Sequence, residues 1–151
     1  MRAERPGFAR EPEVTDDQID DRTAIREVLL RYARGVDARD LALVATCFTP
    51  DAAYRGALAE GTIGDAITAL RAAMERYTAT RHAIGGQSVE IDGDTASSHT
   101  DCTAKHWLAD GGCRTVGVRY HDHLVRGPTG WLIARRDVDT LWTSSEEPED
   151  G

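Results

Sequence analysis

Three ionisable side chains, Asp37, His82 and His106, are of the kinds needed for proton transfer. An imidazole gains and loses a proton near neutrality, and a carboxylate bound to one ring nitrogen fixes the tautomer and stabilises the imidazolium. Asp37 lies one turn beyond Ala33 and two beyond Leu30, on the flank of a helical apolar stripe. His82 stands in Thr80-Arg81-His82-Ala83-Ile84-Gly85-Gly86, with apolar neighbours on one side and a glycine pair behind it. His106 belongs to the alternating segment Thr95–Leu108, where it shares a face with Ala96, Ser98, Cys102, Ala104 and Leu108. His99, Asp101, Thr103, Lys105 and Trp107 take the other face. Each of the three also has an ordinary reading, as a helix-end carboxylate or a hydrogen-bonded core histidine, and spacing leaves both open.

Two further groups are candidates. Tyr54, in Ala52-Ala53-Tyr54-Arg55, is a core aromatic or a phenol at the edge of a site. Arg136 falls among Leu132, Ala134, Val138, Thr140 and Trp142, and a guanidinium in apolar company must be paired or reach a polar cavity. Asp122, on the same strand face as Val116, Val118, Tyr120 and Leu124, is its natural partner. His121-Asp122-His123 has a metal-like spacing, but a strand His-x-His supplies only two ligands, and no third follows in Leu124-Val125-Arg126-Gly127. No glycine-rich phosphate loop, dinucleotide fingerprint, nucleophile elbow or activated cysteine is present, so the expectation is no metal, no cofactor and no covalent intermediate.

The elements that carry these groups are legible from periodicity. Asp16 or Asp17 is placed to cap a helix with Ile25, Val28, Leu29, Tyr32, Ala33 and Val36 inward. Asp40 caps a short second helix bearing Leu41, Val44, Ala45 and Phe48, ended by Thr49-Pro50-Asp51, and Ala52–Arg55 reads as a short strand. Gly64 precedes a third helix with Ile67, Leu70, Met74 and Tyr77 at helical spacing. The period then changes to two. Asp92-Gly93-Asp94 is a hairpin signal, Gly111-Gly112 turns the next strand into Arg114–Arg126, and Gly127-Pro128-Thr129-Gly130 turns that into Trp131–Trp142. Helices followed by an antiparallel meander make an α+β domain over residues 15–142. It is expected to lie between a disordered lead-in (1–14) and an acidic disordered tail (143–151).

The whole-chain balance narrows the partners. With 151 residues the chain is one domain, and its formal charge of -8 argues against nucleic acid or an anionic membrane. No apolar run approaches the roughly 18–20 residues that cross a bilayer, and Met1–Glu13 has no signal-peptide character. Cys47, Cys102 and Cys113 are odd in number and lack paired spacing, which fits free thiols in a cytoplasmic protein.

Several segments together resemble the SnoaL-like branch of the nuclear transport factor 2-like superfamily. They are Tyr32-Ala33-Arg34-Gly35-Val36-Asp37, Phe48-Thr49-Pro50-Asp51-Ala52, Thr80-Arg81-His82, Asp92-Gly93-Asp94-Thr95-Ala96, Arg119-Tyr120-x-Asp122 and Gly130-Trp131-x-Ile133-Ala134. The resemblance spans about Asp16 to Trp142 and implies a cone-shaped curved antiparallel sheet wrapped around about three N-terminal helices. It also implies a homodimer, for which Trp107 on the outer sheet face is available. The polar positions are most similar to those of scytalone dehydratase-type lyases. That similarity implies a catalytic set of Asp37, His82, His106 and Tyr54, with substrate contacts from Tyr32, Val36, Phe48, Arg136 and Trp142. Val36 departs from the pattern, standing where those lyases carry a second tyrosine, and Tyr32, one turn earlier, is placed to compensate. The implied activity is cofactor-independent dehydration, isomerisation or cyclisation of a mostly apolar small molecule such as a polyketide, terpenoid or steroid-like ring. The alternatives are an epoxide hydrolase or epoxide-opening cyclase built on Asp37 and Arg136, a non-catalytic binding module, and a dioxygenase small subunit.

Overall fold

The computed structural model describes residues 14–150, so most of the expected lead-in lies outside the described residues. Helix α1 (Asp16–Asp37) takes its cap from Thr15, one residue before the expected pair. Thr15 accepts from Gln18 N and the Gln18 side chain accepts from Thr15 N, so a Thr-x-x-Gln capping box sets the start, and Asp16 and Asp17 fill the first turn. The inward stripe Ile25, Val28, Leu29, Tyr32, Ala33 and Val36 is buried as its spacing requires.

The end of α1 matters most for the site. Asp40 N donates to Gly35 O (2.8 Å) and Arg39 N to Val36 O (3.0 Å), a Schellman closure in which Arg39 takes the left-handed conformation (φ 58°). Asp37 is thereby fixed as the last helical residue. The short helix α2 (Leu41–Ala45) follows at once, capped by Asp40.

Phe48, expected on the second helix, instead begins strand β1 (Phe48–Arg55). Strand β2 (Glu60–Thr62) was not visible in the sequence. Helix α3 (Ile63–Met74) carries its own capping box from Thr62 and Asp65. It stops three residues short of Tyr77, which opens strand β3 (Tyr77–Asp92) and pairs with Leu108. Strands β4 (Thr95–Leu108), β5 (Cys113–Gly127) and β6 (Gly130–Glu146) complete one six-stranded sheet of order β2-β1-β6-β5-β4-β3. The long strands form the expected antiparallel meander, and β1 joins its edge parallel to β6. This is the α+β architecture of an open curved sheet with its helices at the N-terminal end of the chain. No helix among the described residues is long and apolar enough to cross a membrane. The three cysteines are free and buried.

Strand β6 departs from the expected alternation twice. His123 pairs with Arg135 but Leu124 with Ile133, so Ala134 is an extra residue; Val118 pairs with Thr140 but Gly117 with Trp142, so Leu141 is another. Each one-residue bulge exchanges the faces of everything beyond it. Trp131 and Ile133 are therefore buried before the first bulge, and Arg136 and Val138 turn inward after it. Beyond the second, Trp142 passes to the outer face, over Gly117. A Cβ at Gly117 would lie 2.2 Å from the Trp142 ring nitrogen, so only glycine accommodates the ring there. The strand also runs on through Glu146, with Thr143 to Glu146 paired to Val116 through Cys113, where the sequence suggested a disordered tail from Thr143.

Candidate active site

Strands β3 and β4 set the two histidines side by side. Thr80 pairs with His106 and His82 with Ala104, so His82 and His106 are diagonal neighbours on the concave face. Their rings meet edge to face, with centroids 5.9 Å apart. Asp37 arrives from the end of α1 and accepts three hydrogen bonds. They come from His82 Nδ1 (2.7 Å), the His82 backbone N–H (2.8 Å) and the Thr80 hydroxyl (3.0 Å).

A carboxylate at a helix C-terminus faces the negative end of the helix dipole. Burial also pushes the Asp37 pKa up, yet the His82 ring, the His82 N–H and the Thr80 hydroxyl together hold it below the usual 3.8. Asp37 is therefore ionised and can only accept, so His82 Nδ1 carries a proton, and in the neutral ring Nε2 is the nitrogen left with a lone pair.

His106 is oriented by backbone. Its Nδ1 lies 3.2 Å from the carbonyl oxygen of Arg114, which can only accept, so this nitrogen also carries a proton. Burial lowers the His106 pKa below the usual 6.5. The Arg114 carbonyl opposes this, while the neighbouring His82 ring and the Arg114 guanidinium add to the lowering. His106 thus donates through Nε2 only from its imidazolium form.

Both rings line a cavity of about 270 Å³ together with Tyr32, Val36, Tyr54 and Tyr120. Its remaining wall is mostly apolar, drawn from α3, the Ala57-Leu58 loop and strands β4 to β6. Burial raises the pKa of Tyr54, Tyr32 and Tyr120, so all three remain neutral phenols that donate hydrogen bonds. Asp37, His82, His106, Tyr54, Tyr32 and Val36 are thus brought together at one cavity, with Asp37 behind His82.

Three of the expected substrate contacts lie elsewhere. Arg136 is fully buried and grips Asp122 through two bonds of 2.7 and 2.9 Å. Its guanidinium stacks on Tyr120 (4.0 Å to the ring centroid), Tyr32 (4.4 Å) and Phe48 (5.4 Å) and does not line the cavity. It is the interior ion pair of the ordinary reading, placed behind the tyrosines. Phe48 packs edge-on against Tyr32, centroids 6.0 Å apart, also outside the cavity lining. Trp142 is carried to the outer face by the bulge at Leu141 and is half exposed.

Other residues of the site were not anticipated. Thr80 shares the face of His82 two residues away, so alternation alone marks it. Tyr120 continues the inward row of β5, and so does Arg114, two residues before Val116. Arg76, between α3 and β3, carries no pattern that announces it. Among the described residues, no group of three or more His, Cys, Asp and Glu side chains is placed to hold a metal ion.

Residues 17–137 match the family model described as SnoaL-like domain. An uncharacterized protein of Mycobacterium tuberculosis (H37Rv) is 33% identical over 125 residues, covering 79% of this chain and 84% of its own. A solved structure from Novosphingobium aromaticivorans, provisionally assigned as a scytalone dehydratase, superposes with a TM-score of 0.80 at 16% identity, over 89% of this chain and 93% of that one. The hexachlorocyclohexane dehydrochlorinase LinA-type3 of Novosphingobium barchaimii gives 0.75 at 16% identity, over 85% and 92%. At such identities the likeness to these two structures is one of fold.

Proposed function

This chain belongs to the SnoaL-like domain family, and from that premise we propose that it is a lyase-type enzyme that eliminates water from a small ring compound by acid–base catalysis. The observation that carries the reading is the Asp37–His82 hydrogen bond of 2.7 Å, with the His106 ring 5.9 Å away on the same cavity face. The provisional scytalone dehydratase and the dehydrochlorinase among the structural neighbours bear names of elimination enzymes, which agrees with it.

His82 Nε2 takes a proton from the carbon next to a carbonyl or conjugated system. The C–H bond breaks, an N–H bond forms, and the electron pair moves into the enolate. Asp37 stabilises the imidazolium so produced. As the enolate collapses to a carbon–carbon double bond, the β-hydroxyl leaves and takes a proton from the His106 imidazolium, departing as water. Tyr54 donates a hydrogen bond to the developing oxyanion, with Tyr32 beside it. Each positioned proton transfer is worth about 10²–10⁴-fold in rate.

The cavity's 270 Å³ lies just below the roughly 300–1,000 Å³ usual for ligand sites, which favours about two fused rings over a steroid nucleus. The epoxide-opening alternative needs Arg136 in the cavity, whereas its guanidinium is committed to Asp122 behind it.

The test is incubation with a bicyclic β-hydroxy ketone in deuterium oxide, followed by NMR. Exchange at the carbon next to the carbonyl and loss of water are expected with the wild type and lost with His82→Ala. No exchange across a panel of such ketones would refute the reading.

A further inference from the structure

We infer that the substrate carries a carboxylate, held at the cavity opening by Arg76 and Arg114 while its apolar body extends toward His82. The inference rests on the reading above only in taking this cavity as the substrate site.

The charge distribution points there first. In a chain with a formal charge of -8, the cavity lining contains two arginines and two histidines and no aspartate or glutamate. The charged side chains of the lining are thus opposite in sign to the chain as a whole, which suits a cavity receiving an anion. Both arginines are exposed residues, so they stand where the cavity meets solvent.

Neither is committed elsewhere. Arg55, Arg119, Arg126, Arg135 and Arg136 each bind an aspartate. Among the described residues, Arg76 and Arg114 form no ion pair and no side-chain hydrogen bond. Two uncommitted guanidinium forks at one opening match a carboxylate, which accepts paired N–H bonds in a plane.

Position adds a chemical consequence. Arg114 faces His106 directly across the β4–β5 pair, and Arg76 enters from the α3–β3 junction. The Arg114 charge is among the influences that lower the His106 pKa. A carboxylate on Arg114 offsets that charge and raises the imidazolium fraction of His106 when substrate is bound. The same contact then anchors the substrate and readies its acid.

The experiment compares naphthalene-2-carboxylate with naphthalene-2-carboxamide by calorimetric titration at low ionic strength. The two share shape and apolar area and differ in charge. The carboxylate is expected to bind at least about tenfold more tightly, a difference of about 1.4 kcal/mol, and the preference should shrink as salt is added. It should disappear in the Arg76→Gln/Arg114→Gln double variant and persist in His82→Ala. Equal binding of the two compounds, binding of neither, or a preference that survives the double substitution would overturn the inference. Because binding is read without turnover, loss of the preference alongside intact water elimination removes only this inference. Retained preference without elimination removes only the lyase reading.

Discussion

Asp37 holds His82 at two points, accepting from its backbone N–H at 2.8 Å and from Nδ1 at 2.7 Å. The double attachment ties the end of α1 to β3 and fixes both the place and the tautomer of the ring. Asp37→Asn keeps one acceptor oxygen for the His82 backbone N–H but turns its NH2 toward Thr80 and His82 Nδ1, which favours the opposite His82 tautomer and removes the charge that stabilises the imidazolium. We expect kcat/KM to fall by about 10²–10⁴-fold, with little change in the denaturation midpoint. Activity within a few-fold of wild type would make the pair purely structural.

His106 sets a pH dependence of defined sign. Its pKa lies below the usual 6.5 because burial and neighbouring positive charge favour the neutral ring. The imidazolium fraction falls about tenfold per pH unit above that pKa, so kcat/KM should decline with rising pH across the neutral range. His106→Gln should lower activity and abolish this limb. A flat profile between pH 5 and 8 in the wild type would remove His106 as the acid.

The same ring affects stability. The unfolded chain, with an ordinary imidazole, binds the proton more readily than the native protein does. The His106 contribution is therefore fully present above pH 6.5 and lost as pH falls from there through the lower native pKa. Denaturant midpoints measured from pH 7.5 downward should fall less steeply in His106→Gln than in the wild type.

Asp122 and Arg136 are both fully buried at the side chain, and Arg136 Nη1 has no hydrogen-bond partner. Asp122→Asn leaves the guanidinium uncompensated beneath Tyr32 and Tyr120. The expected cost is about 3–5 kcal/mol in equilibrium unfolding. A loss below about 1 kcal/mol, the range of exposed pairs, would show that the site relaxes or admits water.

Trp142 stands on the outer sheet face, and Thr140, two residues earlier, lines the cavity. Trp142→Ala should leave kcat/KM unchanged, whereas Thr140→Trp should block ligand binding by filling the cavity. A drop in kcat/KM for Trp142→Ala would show that the ring reaches the substrate after all.

The inward row of α1, the Asp-Gly hairpin and the alternation of β4 were legible because each depends on residues close in sequence. Period and capping are local physics, so Asp37 at a helix end and His106 on an inward strand face could be assigned from the sequence. His82 and Tyr54 stand out by residue type and neighbours, and the resemblance of short segments joins them to the same set. Strand β6 defeated the same reasoning. Its bulges at Ala134 and Leu141 leave no mark in its own composition, and each reverses the faces beyond it. That is why simple alternation puts Trp142 on the inward face and Trp131 on the outward one, the reverse of the structure. Arg136 kept its inward place, but its role depended on Asp122 and three aromatic rings brought together from other elements.

By itself, then, the sequence determined which residues can exchange protons and which local element carries each. Only the tertiary structure decided that His82 reaches Asp37 across 45 residues of chain, that Arg136 lies behind the cavity, and that Arg76 and Arg114 open onto it. Local hydrogen bonding and side-chain period act within a few residues. Strand register and the docking of α1 are set by the sum of contacts across the whole sheet, and no single segment encodes that sum.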